Sequence, residues 1–354
     1  MSKNKISVVI PAYQPDEKLL GTIKDLVESG FCDILVVDDG SDEACKKIFD
    51  VVEQIKECTL LRHSVNRGKG AALKTAIAFF LENRKDTAAL VTVDADGQHL
   101  AKDIESVSEA VLESKKVVLG VRNFSQSNVP ARSVLGNRIT AGVFRLFFGM
   151  KIRDTQTGLR AFPKEYLQEL VEVEGDRYEY ETNVLLQMNR LKIPYKQVDI
   201  TTVYIEENKS SHFRVVRDSL RIYGLILKYL FSSLMASLID ILVFYFLKRV
   251  PFLAVIPIPL TYSATICARI ISSLVNYNIN AKHVFKADAN KMTFIKYYIL
   301  AVVQLILSAT LVFMVEHVLF IVSPLLSTVI KAVIDTILFF FSFRIQHKWV
   351  FNNK

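Results

Sequence analysis

The pattern of apolar and polar positions divides the chain into two parts. Up to about residue 207, short apolar runs of strand length alternate with segments whose apolar residues recur at helical spacing. From Tyr229 onward the apolar stretches are longer, and each has the roughly 20 residues that a helix needs to cross a bilayer. They cover residues 229–247, 252–275, 294–315 and 318–343, the last with a start near Pro324. The pattern predicts a soluble domain followed by four transmembrane helices.

A basic amphipathic segment joins the two parts. In residues 213–228, arginines and lysines are interspersed with aliphatic side chains, which is typical of a helix lying in the membrane interface. We therefore expect a soluble domain over residues 1–207, a juxtamembrane helix region over 208–228 and a membrane domain over 229–354.

Strands and helices alternate in the soluble part. We predict strands over Ile6–Ile10, Asp33–Asp38, Thr59–Arg62 and Thr87–Val93, and helices over Asp16–Glu28, Glu43–Gln54 and Ala71–Leu81. This order indicates an α/β fold with a doubly wound, mainly parallel sheet, followed by an all-α membrane domain. Because proline cannot continue a central strand, we expect the first strand to end before Pro11.

The distribution of charge bears on partners and orientation. The chain has 44 Lys+Arg against 36 Asp+Glu, a net charge of +8. Basic residues cluster beside the apolar stretches, so the excess favours a membrane surface and requires no nucleic acid. Because they lie mainly between the second and third stretches and after the fourth, the positive-inside rule predicts a multi-pass cell-membrane protein with both termini in the cytoplasm. Four scattered cysteines favour reduced thiols over a zinc site or disulfides.

Acidic residues follow two of the predicted strands. Asp38 and Asp39 come at the end of the second strand, and Asp94 and Asp96 follow the fourth, with Gln98 close behind. Open α/β sheets bind ligands at the carboxyl ends of their strands. Mg²⁺ or Mn²⁺ suits carboxylate oxygens combined with substrate phosphates. The spacing therefore predicts a site for a divalent cation and a phosphate compound.

The glycine-rich loop Asn66–Gly70 allows another interpretation. It begins like a dinucleotide-binding motif, but Leu73 stands where the third glycine or alanine belongs, and the loop follows the third strand instead of the first. No P-loop motif occurs. We interpret the loop as a tight turn into a helix whose N-terminus can face a phosphate, and not as evidence for a dehydrogenase.

Short motifs recur along the soluble part in a fixed order. They are Val9–Tyr13, Val36–Ser41, Asn66–Gly70, Val93–Gln98, Gly120–Arg122, Pro130–Arg132 and Asp154–Arg160. Over roughly residues 5–215 the set resembles GT-A family 2 glycosyltransferases, in the branch of dolichyl-phosphate mannose synthase and polyprenyl-phosphate glycosyltransferases. The apolar part resembles the GtrA-like family of four-helix membrane proteins, which is associated with polyprenyl-linked sugars.

The resemblance implies a role for each matching residue. The nucleoside of a nucleotide-sugar would be cradled by Pro11, Tyr13, Val37 and Asp39. The rest of this donor would meet Asp94, Ala95 and Lys209, with Asp96 and Gln98 holding Mg²⁺ or Mn²⁺. The acceptor phosphate would be held by Arg122, Arg132 and Ser133. The chain departs from the branch at Gln14 and Pro15, where Asn-Glu is usual, so that glutamate contact is not carried over and UDP or GDP stays open.

The implied acceptor explains why no catalytic His/Asp pair is recognised in the sequence. A phosphate monoester has a second pKa of about 6, so it is already ionised at neutral pH, and arginine can position it through paired hydrogen bonds. The implied reaction is a metal-dependent, inverting transfer of a hexose to polyprenyl phosphate at the cytoplasmic membrane face. Asp96, Arg122 and Arg132 are then the catalytic candidates. Glu179 and Glu181 could bind sugar hydroxyls or be solvated helix surface, and the surface interpretation is favoured.

Two other functions are weighed against this one. A processive polysaccharide synthase of the same family would carry a QxxRW motif, but the single tryptophan, Trp349, lies near the C-terminus in a different context. A lipid-linked sugar flippase with a regulatory soluble domain is the other alternative, and the intact acidic motif argues against it. The sugar, the polyprenyl length, flipping and a homo-oligomer are left open.

An internal repeat runs through the apolar part. The segment Tyr277–Phe285 aligns with Phe343–Phe351, and in this register Arg269 corresponds to Asp335. Together with Asp240, these charges lie deep within the predicted spans, so we expect a buried charge network. Two related helix pairs would make up the membrane domain.

Overall fold

The computed structural model describes residues 3–124, 131–203, 224–247, 260–285, 287–318 and 324–351. The chain divides into two units, Met1–Ile222 and Tyr223–Lys354. The predicted juxtamembrane region over 208–228 lies mostly outside the described residues, as far as residue 223. Its last residues, from Gly224, belong to the first helix of the second unit.

The first unit is built on a seven-stranded sheet. Strands β1 to β7 are Ile6–Ala12, Ile34–Asp38, Cys58–Arg62, Ala89–Thr92, Val117–Arg122, Arg160–Pro163 and Tyr195–Ile200. Their order across the sheet is β3-β2-β1-β4-β6-β5-β7. Neighbouring strands are parallel except at β6, which is antiparallel to β4 and β5. The predicted α/β, mainly parallel fold is confirmed.

Helices cover both faces of this sheet. Helices α1 to α7 are Lys18–Glu28, Lys46–Gln54, Lys69–Asn83, Ala101–Ser114, Ala131–Val143, Leu167–Val171 and Glu179–Leu191. Shorter 3₁₀ turns occur at Lys3–Lys5, Glu43–Cys45 and Lys164–Tyr166, and a π-helical turn at Phe144–Phe148. Every residue of β2 is buried, as a parallel strand with helices on both faces requires. Helix α1 turns Leu19, Ile23 and Leu26 toward this core, one helical turn apart.

The expected end of β1 before Pro11 is wrong. The strand continues through Pro11, which pairs with Val37 of β2, to Ala12. Pairing with β4 on the other side ends at Val9, where Val93 donates its N–H to the Val9 carbonyl (2.9 Å). Successive residues of a strand direct their hydrogen bonds to alternate neighbours, so the missing N–H of Pro11 faces the side on which β4 has already ended. A proline is tolerated in a central strand at this point.

The second unit consists of long helices. Helices α8 to α11 are Gly224–Leu247, Leu260–Ile279, Lys291–Val318 and Pro324–Ile345. Among the described residues, Leu227–Leu247 of α8 and Lys291–Ser308 of α10 are long and apolar enough to cross a membrane. The start of the last helix at Pro324 agrees with the sequence. Four spans with both termini in the cytoplasm remain a prediction.

The two copies of the internal repeat have the same local structure. Helices α9 and α11 each run into a π-helical turn, Asn280–Val284 and Gln346–Val350. The N–H groups of Phe285 and Phe351 close these turns at the same distance, 2.8 Å. These two rings, which correspond in the repeat, stack with centroids 5.1 Å apart. Asn280 also donates to its counterpart Gln346 (3.1 Å). Because a residue can contact its own counterpart only near a symmetry axis, these contacts define a local twofold axis.

The described contacts of two aspartates in this unit, Asp240 and Asp335, lie on different helix pairs. Asp240 accepts a hydrogen bond from Ser272 (3.0 Å) and lies 3.6 Å from Arg269, whose side chain is 73% exposed. On the other helix pair, Ser308 donates to Asp335. The expectation of a buried charge network is therefore wrong for Arg269. The packing of α8 against α9 brings Asp240 and Arg269 together, whereas Asp335 accepts a hydrogen bond from a hydroxyl.

Candidate active site

Asp94, Asp96 and Gln98 follow β4 at the carboxyl edge of the sheet. The N–H of Gln98 donates to Asp96 Oδ1 (3.1 Å), which closes a tight turn. Burial, and then the charge of Asp94, raise the pKa of Asp96. A carboxylate whose charge is disfavoured by its surroundings is stabilised by a cation, so the residues that the sequence assigns to Mg²⁺ or Mn²⁺ fit such an ion.

A protein-only metal cage is not formed here. Within the described part of the chain, no group of three or more His, Cys, Asp or Glu side chains could hold a metal ion. A cation at Asp96 and Gln98 would therefore need oxygen ligands from water or from a bound phosphate compound. Mg²⁺ is commonly held in this way, by one or two carboxylates together with substrate phosphates.

Asp94 belongs to a chain of charges that the sequence did not reveal. Lys69 Nζ lies 2.7 Å from Asp94 Oδ1 and 3.0 Å from Glu181 Oε2, and His99 Nε2 lies 3.3 Å from Asp94 Oδ2. Burial would raise the pKa of the Asp94 carboxyl, but the Lys69 ammonium and His99 hold it well below its usual range. Likewise, burial would lower the pKa of Lys69, but Asp94 and Glu181 raise it. Asp94 and Lys69 are therefore both charged at neutral pH.

Glu181 was interpreted as solvated surface, and this interpretation is wrong. Its side chain is only 16% exposed and is paired with Lys69. The first turn of α7 packs against the start of α3, which turns Glu181 inward. The sequence signal was present but not specific: a lysine between two glycines, and an alternation of tyrosine and glutamate over Tyr178–Glu181. Neither pattern identifies the partner, because the two segments are far apart in the chain.

The loop Asn66–Gly70 supports α3 and does not present the helix N-terminus to a phosphate. The N–H of Ala71 donates to the Asp176 carbonyl (3.0 Å). A Cβ on Gly68 would approach that carbonyl oxygen to 2.3 Å, and one on Gly70 would approach Cβ of Tyr180 to 2.5 Å. Gly68 also has a φ of 105°, which disfavours other residues. The glycines thus allow residues 176–180 to cover the helix start, and the phosphate interpretation is wrong.

The loop before β6 packs closely against the Asp94 carboxylate. A Cβ on Gly158 would lie 2.2 Å from Asp94 Oδ2, so only glycine fits. Arg160 is buried and donates to the carbonyls of Thr155, Thr157 and Glu181 at 2.7–3.1 Å. Burial lowers the pKa of this guanidinium. Arg160 therefore fixes the loop and the start of α7 around Asp94 through backbone contacts.

Asp39 has a structural task in addition to any contact with a nucleoside. Its carboxylate accepts hydrogen bonds from the N–H groups of Arg67 (2.9 Å) and Gly68 (2.7 Å) and contacts His63 Nδ1 (2.7 Å). His63 Nε2 lies 2.9 Å from the hydroxyl of Thr75. The structure thus contains a His/Asp pair that the sequence did not indicate. Both members are almost fully buried, so the pair joins β2, β3 and α3.

The other residues assigned to the donor lie side by side at the ends of β1 and β2. Pro11 is paired with Val37 in the sheet register. Tyr13 is partly exposed, whereas Val37 is fully buried. Ala95 is partly buried and packs against the core. Lys209 lies outside the described residues. The nucleoside roles remain predictions.

Arg122 emerges on the same edge of the sheet as the acidic residues. In the antiparallel registers, Arg160 of β6 pairs with Thr92 of β4 on one side and with Leu119 of β5 on the other. The chain beyond β4 and beyond β5 therefore flanks the same loop. Arg122 makes a two-point ion pair with Asp154, Nε to Oδ2 at 2.8 Å and Nη2 to Oδ1 at 3.2 Å. This pairing orients a guanidinium that remains 18% exposed.

Arg132 and Ser133 belong to α5, whose placement is described, although the positions of these two side chains are not. The helix is tied to the same loop, because Asn137 Nδ2 donates to the Arg153 carbonyl (2.7 Å) and its Oδ1 accepts from the N–H of Thr155 (3.1 Å). The helix that carries the two predicted acceptor residues is therefore attached to the segment that holds Arg122.

Comparison with known proteins agrees with this geometry. The family model Glycosyl transferase family 2 matches residues 7–171. An uncharacterized protein of Methanocaldococcus jannaschii is 33% identical over 237 residues, which is 65% of this chain and 95% of that protein. The chain belongs to glycosyl transferase family 2. In its second unit, residues 228–351 match the GtrA/DPMS transmembrane domain, so this glycosyltransferase is a membrane protein.

Several relatives of the glycosyltransferase have names that specify a substrate, including the following two. The UDP-N-acetylglucosamine–dolichyl-phosphate N-acetylglucosaminyltransferase of Methanococcus voltae is 30% identical over 224 residues, 58% of this chain and 88% of the relative. The undecaprenyl-phosphate mannosyltransferase of Micrococcus luteus is 26% identical over 215 residues, 58% of this chain and 86% of the relative. The predicted family and fold class are thus confirmed.

Proposed function

We propose that the glycosyltransferase moves a sugar from a nucleotide-sugar to the phosphate of a polyprenyl lipid at the cytoplasmic membrane face. The observation that carries this proposal is the shared edge of the sheet, where Asp94 and Asp96 follow β4, Arg122 ends β5 and both flank the loop before β6. One side of this loop is acidic and suits a metal-bound diphosphate. The other side is basic and suits a phosphate acceptor. The two named relatives act on lipids of this class.

The chemistry of the acceptor makes few demands on the protein. A phosphate monoester is largely a dianion at neutral pH, since its second pKa is about 6, so no side chain has to remove a proton. What the acceptor requires is orientation and screening of its charge. Arg122, oriented by Asp154, would supply the first contact, and Arg132 and Ser133 on the tethered α5 would supply others.

The donor end would hold the leaving group. Asp96 and Gln98 would bind a divalent cation together with the diphosphate, and such an ion, when bound, offsets the negative charge of a departing nucleoside diphosphate. Pro11 and Tyr13 would receive the nucleoside. Attack by the acceptor oxygen from the side opposite the leaving group would invert the anomeric configuration.

Transfer to the lipid can be tested directly. The full-length protein in lipid nanodiscs is incubated with Mg²⁺ or Mn²⁺, polyprenyl phosphate and a panel of radiolabelled UDP- and GDP-sugars, and the label is followed into the organic phase. We expect labelling with one donor, none with the free polyprenol, and an inverted anomeric centre by NMR. Labelling of neither lipid with any donor would overturn the proposal, as would equal labelling of polyprenol.

The membrane arrangement is part of the same proposal. We infer four spans, with both termini and the glycosyltransferase unit over residues 1–207 on the cytoplasmic side, where nucleotide-sugars are available. Cys32 is exposed, so an impermeant thiol reagent should label it in inverted membrane vesicles and not in intact cells. Labelling in intact cells would reverse the orientation.

A further inference from the structure

Lys69 is held between two carboxylates at the edge of the candidate active site. Its ammonium is 2.7 Å from Asp94 Oδ1 and 3.0 Å from Glu181 Oε2. The side chains of Lys69, Asp94 and Glu181 are 19%, 29% and 16% exposed to solvent. The group is therefore largely removed from water but not sealed, as expected of side chains that line a site.

Charge is unevenly balanced around Lys69. Three carboxylates, Asp94, Asp96 and Glu181, gather near the end of β4. Arg160 lies close by, but its guanidinium is hydrogen-bonded to backbone carbonyls. Among the lysines and arginines in the described parts of the chain, Lys69 is the one that forms ion pairs with Asp94 and Glu181. Its loss would leave like charges facing one another at low dielectric, where repulsion is strongest.

The backbone around these residues is built to hold the contact. Gly68 and Gly70 let residues 176–180 lie directly on the start of α3, with Ala71 N–H bonded to the Asp176 carbonyl. Arg160 holds the backbone of Glu181 at 2.7 Å. Lys69 and Glu181 thus belong to two elements whose separation is set independently of their own ion pair.

We propose that Lys69 is a positioning residue of the sugar transfer: it orients Asp94 toward the nucleotide-sugar and offsets the repulsion among the carboxylates, with Glu181 as its counter-charge. This inference rests on the proposed function, because Asp94 is assigned to the donor there. Lys69 itself touches neither substrate. It acts through Asp94, so its loss should affect donor binding through the charge balance.

This role makes a prediction about a pair of substitutions. K69M removes the ammonium that pairs with Asp94 and Glu181, so the donor KM should rise by about 10-fold or more, since small displacements of a positioning contact can cost up to 100-fold. E181Q removes one negative charge and should change the KM by less than about 3-fold. In K69M/E181Q the repulsion is partly relieved, so the double variant should bind donor better than K69M, a positive coupling in a double-mutant cycle. K69R, which keeps the charge, should recover most of the loss.

Lys74 provides a matched control. It lies on the same helix and pairs with Asp176 (3.1 Å), away from the acidic group. K74M should leave the donor KM and kcat within about 2-fold of the wild type, as is usual for an outlying ion pair. If K69M and K74M have equal effects, Lys69 serves only to hold α3 in place and the proposal is wrong.

Donor binding is measured in two ways so that failure can be assigned. Transfer rates give KM and kcat, and calorimetric titration of UDP and GDP in the presence of Mn²⁺ gives affinity without turnover. If the wild type binds a nucleotide but labels no lipid, the proposed function fails, while the titration still tests Lys69. A double variant that binds no better than K69M, or a K69R as weak as K69M, would overturn the role of Lys69. So would a wild type that binds neither nucleotide, because the donor site itself would then be wrong.

Discussion

The first unit holds ion pairs that are largely removed from water around one end of its sheet, whereas the buried polar side chains described in the second unit are neutral amides and hydroxyls. Arg122 with Asp154, and Lys69 with Asp94 and Glu181, surround one end of the sheet. In the membrane unit, Ser232 donates to Asn280 (2.6 Å), Asn280 to Gln346 (3.1 Å), and Gln346 to the hydroxyls of Tyr229 and Ser342 (both 3.1 Å).

The difference follows from the cost of taking charges out of water. An ion pair in a low-dielectric interior is retained where its geometry serves a site, because desolvation can exceed the Coulombic gain. In a bilayer this cost is higher still, and neutral groups can satisfy one another without it. The exception in the second unit, Arg269, keeps 73% of its side chain exposed and lies at a loose 3.6 Å from Asp240. Charged side chains are therefore concentrated at the proposed active site, and neutral polar side chains form the contacts between the membrane helices.

The strongest test of this contrast is the removal of Asp96. D96A takes away the carboxylate assigned to the cation, so sugar transfer should fall by about 10³-fold, the scale of losing a major electrostatic contact. The protein should remain folded and in the membrane. The measurement is transfer of radiolabel into polyprenyl phosphate. D86A, which alters an exposed aspartate in the turn before β4, should retain wild-type activity, and wild-type activity in D96A would refute the assignment.

Breaking the buried ion pair of the first unit should have the next largest effect. D154A leaves Arg122 without the carboxylate that is fully buried beside it, so the free energy of unfolding should fall by about 3 kcal/mol. Urea denaturation followed by far-ultraviolet circular dichroism measures this loss of stability. D199A removes the partner of Arg153 in a neighbouring pair that is 55% and 75% exposed and should cost at most about 1 kcal/mol. Equal losses in the two variants would remove the distinction.

The neutral network should be less sensitive than the ion pair. N280A removes contacts with Ser232 and Gln346, yet polar contacts between membrane helices are worth only about 1 kcal/mol. Reversible unfolding of the protein in mixed detergent measures the loss. N278A is the control, since Asn278 is exposed and its hydrogen bond among the described residues is within its own helix, to the Leu274 carbonyl (2.8 Å). A loss for N280A as large as that for D154A would contradict the contrast between the units.

The smallest effect concerns the stability of the protein without metal. Burial and Asp94 raise the pKa of Asp96 above its ordinary 3.8. The contribution of Asp96 to stability therefore falls as the pH rises from 3.8 through the raised value, since the folded state holds this proton more tightly than the unfolded state does. With a chelator at pH 7, D96N should have a higher melting temperature than the wild type. The difference between the two melting temperatures should shrink as the pH falls below 3.8, and parallel pH curves would contradict the prediction.

Several features of the site could be predicted because they depend on local sequence. An apolar strand followed by Asp94 and Asp96 has its acidic end at the carboxyl edge of the sheet whatever the rest of the chain does. The repeat in the membrane unit was recognisable because the same π-helical turn needs similar residues in both copies. Pro11 was misjudged because its tolerance depends on where β4 ends, which is not a property of residues 6–12.

The sequence by itself determined the division into an α/β unit and a membrane unit, the mainly parallel sheet, and the acidic ends of its strands. These follow from periodicity, since residues that repeat every second or every third to fourth position must share a buried face. Tertiary structure decided which charges meet: Lys69 with Glu181, Asp39 with the loop at Gly68, and Asn280 with its counterpart Gln346. Such contacts join segments far apart in the chain, so they arise only when the strand order and the helix packing bring those segments together.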